Sequence, residues 1–272
     1  MAFGRAPGRH GAARAVRAVA TALLPVGVRD WIRAQQRRYG LQWARVGSLD
    51  FGDLHRVSPV SPVFGLDRGR TVDRHYIESF LAAHAADIQG RVLEFMDDAY
   101  TRKFGGDHVA RRDVLHSVAG NPRATIVGDL TSDDPLPTDA FDCIVCTQTL
   151  QFIYEPRLAL RRLRAMLKPG GVLLLTAHGT SRSGRREGVD DWGEYWRFTA
   201  QSLERIFAET FPDDDVRLEV YGNVLAAVAT LHGLAATELS AAELDYRDPN
   251  YEVLLAVRAC RRGSRREGTR AT

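Results

Sequence analysis

The sequence Gly90-Arg-Val-Leu-Glu-Phe-Met-Asp-Asp-Ala-Tyr-Thr-Arg-Lys-Phe-Gly105 predicts a buried strand that runs into a loop. Val92, Leu93 and Phe95 form the short apolar run of the strand, and Glu94 stands near its carboxyl end. In open α/β sheets, ligands bind outside the carboxyl ends of the strands, where successive loops diverge and leave a crevice. Glu94 is therefore a candidate ligand group, and the alternative is that it caps or pairs locally.

Further apolar runs follow at the spacing of successive strand–helix units, and polar residues stand at or near their ends. They predict strands at about 112–116, 124–128 and 141–147, with Asp113 on the first and Asp129 after the second. A helix is predicted over 156–167, where Pro169 and two glycines stop it. The run 172–176 is continuously apolar, which is typical of a central parallel strand. The remaining predicted elements are a helix at 201–211, a strand at 216–220, a helix at 225–234, an acidic turn or short helix at 238–245 and a strand at 251–257.

These motifs, with Leu167-Lys-Pro-Gly-Gly-Val-Leu-Leu-Leu175, resemble the class I S-adenosylmethionine-dependent methyltransferases of the type 11 group, from residue 90 to residue 259. The resemblance implies a Rossmann-like α/β fold: a seven-stranded, mostly parallel sheet with helices on both faces and a C-terminal antiparallel hairpin. The first loop departs from the family pattern Glu/Asp-x-Gly-x-Gly-x-Gly, because Met96, Asp98 and Tyr100 hold the glycine positions. Side chains there would crowd the approach of a ligand to the backbone, unless the loop takes another path.

The resemblance also implies S-adenosylmethionine as the cofactor and supplies candidate contacts for it. Asp97 and Asp98 are either partners of the donor's positive charges or surface carboxylates. The implied cofactor contacts are Glu94, Met96 and Asp97 around the first loop, Asp113 at the ribose diol, Asp129 and Leu130 at adenine, and Thr147 and Gln148 beside the methyl-transfer site.

Methyl transfer to a hydroxyl needs a base, and histidine suits this role because its pKa is near neutral. His178, just past the fifth strand, and His75 are the candidates. The alternative for each is a structural or solvated histidine. No metal is expected, since Cys143 and Cys146 lie three apart on one strand and face opposite sides.

Two polar and aromatic stretches are candidates for the acceptor site. Arg74 and Tyr76 either point into the pocket or belong to a salt-bridged helix start. Trp192, Tyr195 and Arg197 either form an acceptor wall or anchor their loop to the core.

The chain divides by composition into four segments. We expect a basic, partly helical N-terminal extension at 1–45, with Val16, Val19, Leu23 and Leu24 on an apolar helix side, and a lid segment and helix at 46–89. In that helix, expected at 73–89, Asp73 is the predicted N-cap and Gly90 the stop. The methyltransferase-like core is expected at 90–260 and a basic disordered tail at 261–272.

Composition is that of an ordinary soluble globular protein, with 44% hydrophobic and 26% charged residues among 272 and a net charge of +3. Three cysteines give no disulfide framework, which suits a reducing cytoplasm. No nucleic-acid partner is expected, because no aromatic residues interleave the terminal arginines. No integral membrane segment is expected either, since the apolar run at 18–28 is too short to span a bilayer.

The sequence thus predicts a methyltransferase that acts on a small polar acceptor, with O-methylation favoured and a sugar or natural product as the possible acceptor. The alternative is a non-catalytic binding or scaffold protein with the same fold, which the altered loop at 96–100 motivates. An NAD-type oxidoreductase ranks last, because no Gly-x-Gly-x-x-Gly follows a strand. No sequence feature indicates an oligomeric state.

Overall fold

The computed structural model describes residues 24–41, 46–184 and 193–263, and these residues divide into two units at the boundary between Arg56 and Val57. In the first unit, helix α1 (Val26–Tyr39) begins after Pro25 and ends at Gly40 in the left-handed conformation, and a helical turn follows at Gly52–Leu54. The expected apolar side at Val16, Val19 and Leu23 lies outside the described residues. Among the helices that are described, none has the length and apolarity to cross a membrane.

The second unit contains a seven-stranded sheet in the order β3-β2-β1-β4-β5-β7-β6. Strand β7 lies between β5 and β6 and is antiparallel to both, whereas the other pairs are parallel. This arrangement confirms the fold class predicted from the sequence. The strands are β1 (Gly90–Phe95), β2 (Val109–His116), β3 (Ile126–Val127), β4 (Phe141–Thr147), β5 (Leu167–His178), β6 (Asp215–Tyr221) and β7 (Leu254–Cys260).

Helices cover both faces of the sheet, because the strands are apolar on both sides. One buried cluster packs α3 and α4 against the sheet, and a second cluster packs α2, α5 and α6 against the opposite face. The helices are α2 (Val72–Ala83), α3 (Pro156–Met166), α4 (Ala200–Thr210), α5 (Val224–His232) and α6 (Ala241–Asp245).

Helix α2 differs from its prediction at both ends. Thr71, not Asp73, is the N-cap, and its side chain accepts the Arg74 amide. Asp73 lies in the first turn, where its carboxylate complements the positive end of the helix dipole. The helix ends at Ala83, and a separate helical turn fills the path to Gly90, which starts β1 with φ of 66°.

Strand β5 is longer than predicted because Lys168-Pro-Gly-Gly171 does not end the ladder. Leu167 already pairs with Phe141 of β4, and after a register shift Val172 pairs with Cys143. A Cβ atom at Gly171 would lie 2.8 Å from the Phe141 carbonyl oxygen, so glycine is needed for this close approach. A turn was predicted at these residues, but the structure has an irregularity inside the strand.

The connections around β2 are short. A brief helical segment, Thr101–Gly105, and a turn, Gly106–His108, link β1 to β2. Residues 117–125, all of which are described, form turns rather than a helix before the two-residue strand β3. The part of β2 next to β3 therefore has no helix of its own to cover it.

Candidate functional site

The loop after β1 keeps a glycine-like backbone although its glycines are missing. Met96 has φ of 69°, in the left-handed region that non-glycine residues rarely adopt, and its side chain is half exposed. The Met96 amide donates to the Leu115 carbonyl at 3.2 Å, and Asn121 Nδ2 donates to the Met96 carbonyl at 2.7 Å. These two contacts hold the strained residue against the end of β2.

Glu94 is buried beneath this loop, with 3% of its surface exposed. Its carboxylate accepts the amides of Tyr100 at 3.1 Å and Thr101 at 2.8 Å, so it caps the short helical segment. Burial raises the pKa of Glu94 to about 7, against the opposing effect of these hydrogen bonds. Glu94 therefore has the local capping role that the sequence offered as an alternative. Its contact with the methyl donor remains a prediction.

The two aspartates of the loop also have local partners. Asp97 Oδ1 accepts the Ala99 amide at 2.9 Å. Asp98 pairs with Arg102 at 2.7 Å and Arg112 at 3.5 Å, and the hydrogen bond from Arg102 holds the pKa of the Asp98 carboxyl below its usual range. Both aspartates are therefore engaged within the loop and with nearby arginines.

Asp113 is not at the end of β2, and its assignment to the ribose diol is not supported. It lies in the middle of the strand, opposite Leu93, and is 1% exposed. Its oxygens accept Arg91 Nε at 2.7 Å, Arg111 Nη2 at 3.0 Å and the Thr125 hydroxyl at 3.0 Å. These donors compensate the buried charge and occupy the carboxylate.

Asp129 follows β3 and is half-buried at the carboxyl edge of the sheet. Its Oδ1 atom accepts both the amide and the hydroxyl of Thr131, at 2.7 and 2.8 Å. Leu130 beside it is 4% exposed and packs into the core cluster of α3 and α4. The pair is in the expected position at this edge, with Asp129 Oδ1 engaged locally.

At the end of β4, Gln148 is a second non-glycine residue with positive φ, at 50°. Its amide donates to the Thr176 carbonyl of β5 at 2.9 Å, next to the pair Thr147 and Thr176. The Gln151 side chain is fully buried and donates from Nε2 to Gln148 Oε1 at 2.9 Å. Sequence reasoning missed Gln151, whose only signal is its place shortly after a strand end.

His178 ends β5, one strand over from Gln148. Burial lowers the pKa of His178, while the negative charges of Asp73 and Glu194 act in the opposite direction. Burial therefore favours the neutral ring over the protonated one.

Buried polar atoms without a partner among the described residues occur at this edge of β4 and β5. They are Gln148 Nε2, Gln151 Oε1 and His178 Nδ1. The nitrogen and oxygen of a side-chain amide can be exchanged by a flip. If both glutamine amides are flipped, the pair still has one unused donor group and one unused acceptor. Because buried polar groups are nearly always hydrogen-bonded in folded proteins, these atoms fit a site that binds a polar ligand.

Tyr76, a candidate for the acceptor site, is buried against other elements of the fold. It is 2% exposed, its hydroxyl donates to the Leu244 carbonyl at 3.1 Å, and its ring lies 5.5 Å from that of Tyr221. Arg74 is exposed and donates to the Tyr100 hydroxyl at 3.1 Å, which places it beside the loop after β1. The two residues lie on opposite sides of α2 because they are two positions apart on a helix.

Of the three residues predicted for the acceptor wall, only Tyr195 and Arg197 are described, and both contact neighbouring residues. Trp192 lies outside the described residues, and Tyr195 is 52% exposed and packs edge-on against Tyr154 at 5.3 Å. Arg197 Nη1 donates to Glu194 at 2.6 Å, and Nη2 donates to the Arg182 carbonyl at 2.7 Å. Arg197 therefore anchors its loop, the alternative foreseen from the sequence.

The segment before α2 is attached to the turn after α5. The Ser61 amide donates to the His232 carbonyl at 3.0 Å, and the Ala236 amide donates to the Arg70 carbonyl at 2.7 Å. Gly65, with φ of 93°, sits so close that a Cβ atom would lie 2.8 Å from the Gly233 carbonyl oxygen. This segment is fixed by backbone contacts.

Among the described residues, no group of three or more His, Cys, Asp or Glu side chains is placed to hold a metal ion.

Solved structures that are similar to this chain include three methyltransferases. The S-adenosylmethionine-dependent methyltransferase of Mesorhizobium loti is 17% identical, with 72% of this chain and 100% of that chain covered and a TM-score of 0.46. A possible histamine N-methyltransferase of Thermotoga maritima is 15% identical over 70% and 92% of the two chains, with a TM-score of 0.46. The phosphoethanolamine N-methyltransferase 2 of Haemonchus contortus is 14% identical over 75% and 61%, with a TM-score of 0.43.

A comparison with curated protein sequences finds no match. The profile of the methyltransferase-domain family matches residues 64–212, which is more than half of the chain. That span runs from the segment before α2 to the end of α4 and includes the carboxyl edge of β1 to β5. The chain belongs to the methyltransferase-domain family, in the class I S-adenosylmethionine-dependent superfamily.

Proposed function

We propose that this methyltransferase acts on a hydroxyl group of a small polar acceptor, a sugar or natural product. The observation that carries the proposal is the set of unpartnered buried atoms at the ends of β4 and β5: Gln148 Nε2, Gln151 Oε1 and His178 Nδ1. When bound, S-adenosylmethionine supplies a methyl group on a positively charged sulfur. The protein's part is to position the reactants, which can lower the barrier by about 7–11 kcal/mol.

The donor would lie across the carboxyl ends of β1, β3 and β4. Asp129 supports this assignment, because it stands half-buried just after β3 while its Oδ1 atom is held by Thr131. Met96 supports it too, since its backbone adopts the conformation that a glycine would give the loop.

His178 is the proposed base. Burial lowers the pKa of this ring, which keeps the imidazole neutral, and Nδ1 has no partner among the described residues. A neutral imidazole can accept the proton that an acceptor hydroxyl loses as it is methylated. A nitrogen acceptor that arrives uncharged would need this base less, so the histidine favours oxygen.

The first test is calorimetric titration with S-adenosylhomocysteine, the demethylated product, because it needs no knowledge of the acceptor. We expect micromolar binding to the wild type. Asp129→Asn keeps a carbonyl oxygen for Thr131 but replaces the other carboxylate oxygen by a donor. We expect this variant to bind at least about tenfold more weakly at an unchanged melting temperature, since one charge-assisted hydrogen bond is lost.

A second function, a non-catalytic binding or scaffold protein, is favoured by one observation. The Asp113 carboxylate, the candidate for the ribose, is occupied by Arg91, Arg111 and Thr125. Absence of binding at millimolar S-adenosylhomocysteine would support that function and contradict the proposed methyl transfer. Unchanged affinity in a folded Asp129→Asn variant would contradict the donor site assigned here.

A further inference from the structure

A pocket of about 500 Å³ lies beside β2, outside the crevice described above. Its wall is formed by the loop after β1, by Arg112 and Val114 of β2, and by residues just before β3. Arg112 and Val114 share one face of the strand because they are two residues apart. The pocket is open because turns at 117–125 replace the helix that would otherwise cover this part of the sheet.

The pocket has a net positive charge. Three guanidinium groups line it, those of Arg102, Arg112 and Arg123, against one carboxylate, that of Asp98. Asp98 is shared, with Arg102 at 2.7 Å and Arg112 at 3.5 Å. Asp97, just outside the lining, lies 3.9 Å from Arg123, so two carboxylates face the three guanidinium groups and one positive charge is left uncompensated.

The arginine side chains of the pocket are accessible to solvent. The Arg112 side chain is 40% exposed, and that of Arg123 is 66% exposed with its nearest carboxylate, Asp97, 3.9 Å away. Guanidinium groups bind phosphate oxygens through paired N–H donors, and several of them around one pocket can bind the same anion.

The size and the apolar part of the wall point to more than a free ion. A pocket of about 500 Å³ lies in the range that holds a small organic ligand. Ala99, which is exposed, and the 3% of Val114 that is accessible add apolar surface next to the arginines. We propose that this arginine pocket binds a small phosphomonoester, with its phosphate on Arg102, Arg112 and Arg123 and its organic part against Ala99 and Val114.

The pocket adjoins the loop after β1, but its lining includes neither Met96 nor Asp129, so it can be tested without the donor. Glycerol 3-phosphate and inorganic phosphate are the two probes, titrated calorimetrically into the full chain at low ionic strength without S-adenosylhomocysteine. We expect glycerol 3-phosphate to bind more tightly than inorganic phosphate, because only the ester reaches the apolar wall.

The variants are Arg112→Gln and Arg123→Gln, with Arg217→Gln as the matched control. Arg217 lies on β6 and contacts Asp215 at 3.6 Å, much as Arg112 contacts Asp98, but it is outside the pocket. We expect each pocket variant to bind glycerol 3-phosphate about tenfold more weakly or worse, since a charge-assisted contact is lost. The control should bind like the wild type, and circular dichroism verifies that all three variants are folded.

Equal affinity for the two probes would contradict the phosphomonoester and show that the pocket binds a simple anion. No binding at millimolar concentration, or equal weakening in Arg217→Gln, would overturn the site altogether. None of these outcomes depends on whether S-adenosylhomocysteine binds, so the site and the methyltransferase function are tested independently.

Discussion

Two residues at the carboxyl edge of the sheet have a glycine-like backbone although they are not glycines. Met96 and Gln148 both hold positive φ at the ends of neighbouring strands. Such conformations cost about 1–2 kcal/mol for a residue with a Cβ atom, and they concentrate at functional sites. The sequence shows that the glycines are missing but not that the backbone keeps the glycine conformation, because Met96 is held by Leu115 and Asn121, far along the chain.

Met96→Gly should stabilise the protein. Glycine adopts φ of 69° without the steric cost, so we expect the free energy of unfolding in urea to rise by roughly 0.5–1 kcal/mol. Met96→Ala is the control, since it removes the same side chain atoms beyond Cβ but keeps the strain. A glycine variant no more stable than the alanine variant would contradict the assignment of strain to Met96.

Glu94 should make stability depend on pH. Its pKa is about 7 when folded and near 4.5 when unfolded, so between these values the folded state holds a proton that the unfolded state has lost. Stability therefore falls as pH rises through this window, by up to about 3 kcal/mol between pH 5 and pH 8.

Denaturation at several pH values checks this expectation. Glu94→Gln cannot ionise and should flatten the decline, whereas the exposed Glu204→Gln should leave it unchanged. A Glu94→Gln variant with the wild-type pH dependence would show that another group is responsible.

Elements were predicted well where their signal is local. Strand β4 was predicted at 141–147 and is found there, because its apolar run is bounded by polar residues on both sides. The ends of α2 and β5 were predicted wrongly, since they depend on the Thr71 cap and on the close approach of Gly171 to β4. The start of α2 and the extent of β5 depend on these contacts, and no local sequence pattern indicates them.

The segment before α2 should depend on Gly65. Gly65→Ala meets two penalties, a positive φ of 93° and a Cβ atom 2.8 Å from the Gly233 carbonyl oxygen. We expect a loss of about 2 kcal/mol or more in the free energy of unfolding.

Gly69→Ala is the matched comparison, because φ there is 139° but the nearest atom, the Ala235 Cβ, is 3.6 Å away. It should lose less than the Gly65 variant. Equal losses would mean that only the backbone conformation matters and that the contact with Gly233 does not.

The loop that follows β5 should open when Arg197 is changed. The Glu194 side chain is 1% exposed, so Arg197→Gln leaves a buried carboxylate without its cation. We expect a loss of about 3 kcal/mol and faster hydrogen exchange at residues 181–184.

Arg205→Gln provides the comparison, since Arg205 is 81% exposed and pairs with Glu209 on the surface of α4. It should change neither stability nor exchange by a measurable amount. Protection at 181–184 that survives the Arg197 change would contradict the anchoring role of this residue.

At the scale of the whole molecule, the apolar runs and helices predicted successive strand–helix units, and the resemblance to the methyltransferases implied the seven-stranded sheet with an antiparallel end. The carboxyl edge followed from that topology, and Asp129, Leu130, Thr147, Gln148 and His178 lie on it. The partners of Asp113 and Tyr76, which are Arg91 and Leu244, come from other elements, and no local sequence pattern indicates these contacts. A sequence read from one strand at a time cannot show which charges meet across the sheet.

The shortness of β3 has a further consequence for the solubility of the chain. Only Leu115 and His116 of β2 pair with β3, so residues 109–113 present an unpaired strand edge on that side within the described structure. Such an edge can template the addition of a strand from another molecule, the first step of aggregation. Arg111 and Arg112 place two positive charges along it, with side chains 62% and 40% exposed. Identical copies that approach edge to edge would bring these guanidinium groups together, and their repulsion opposes such pairing.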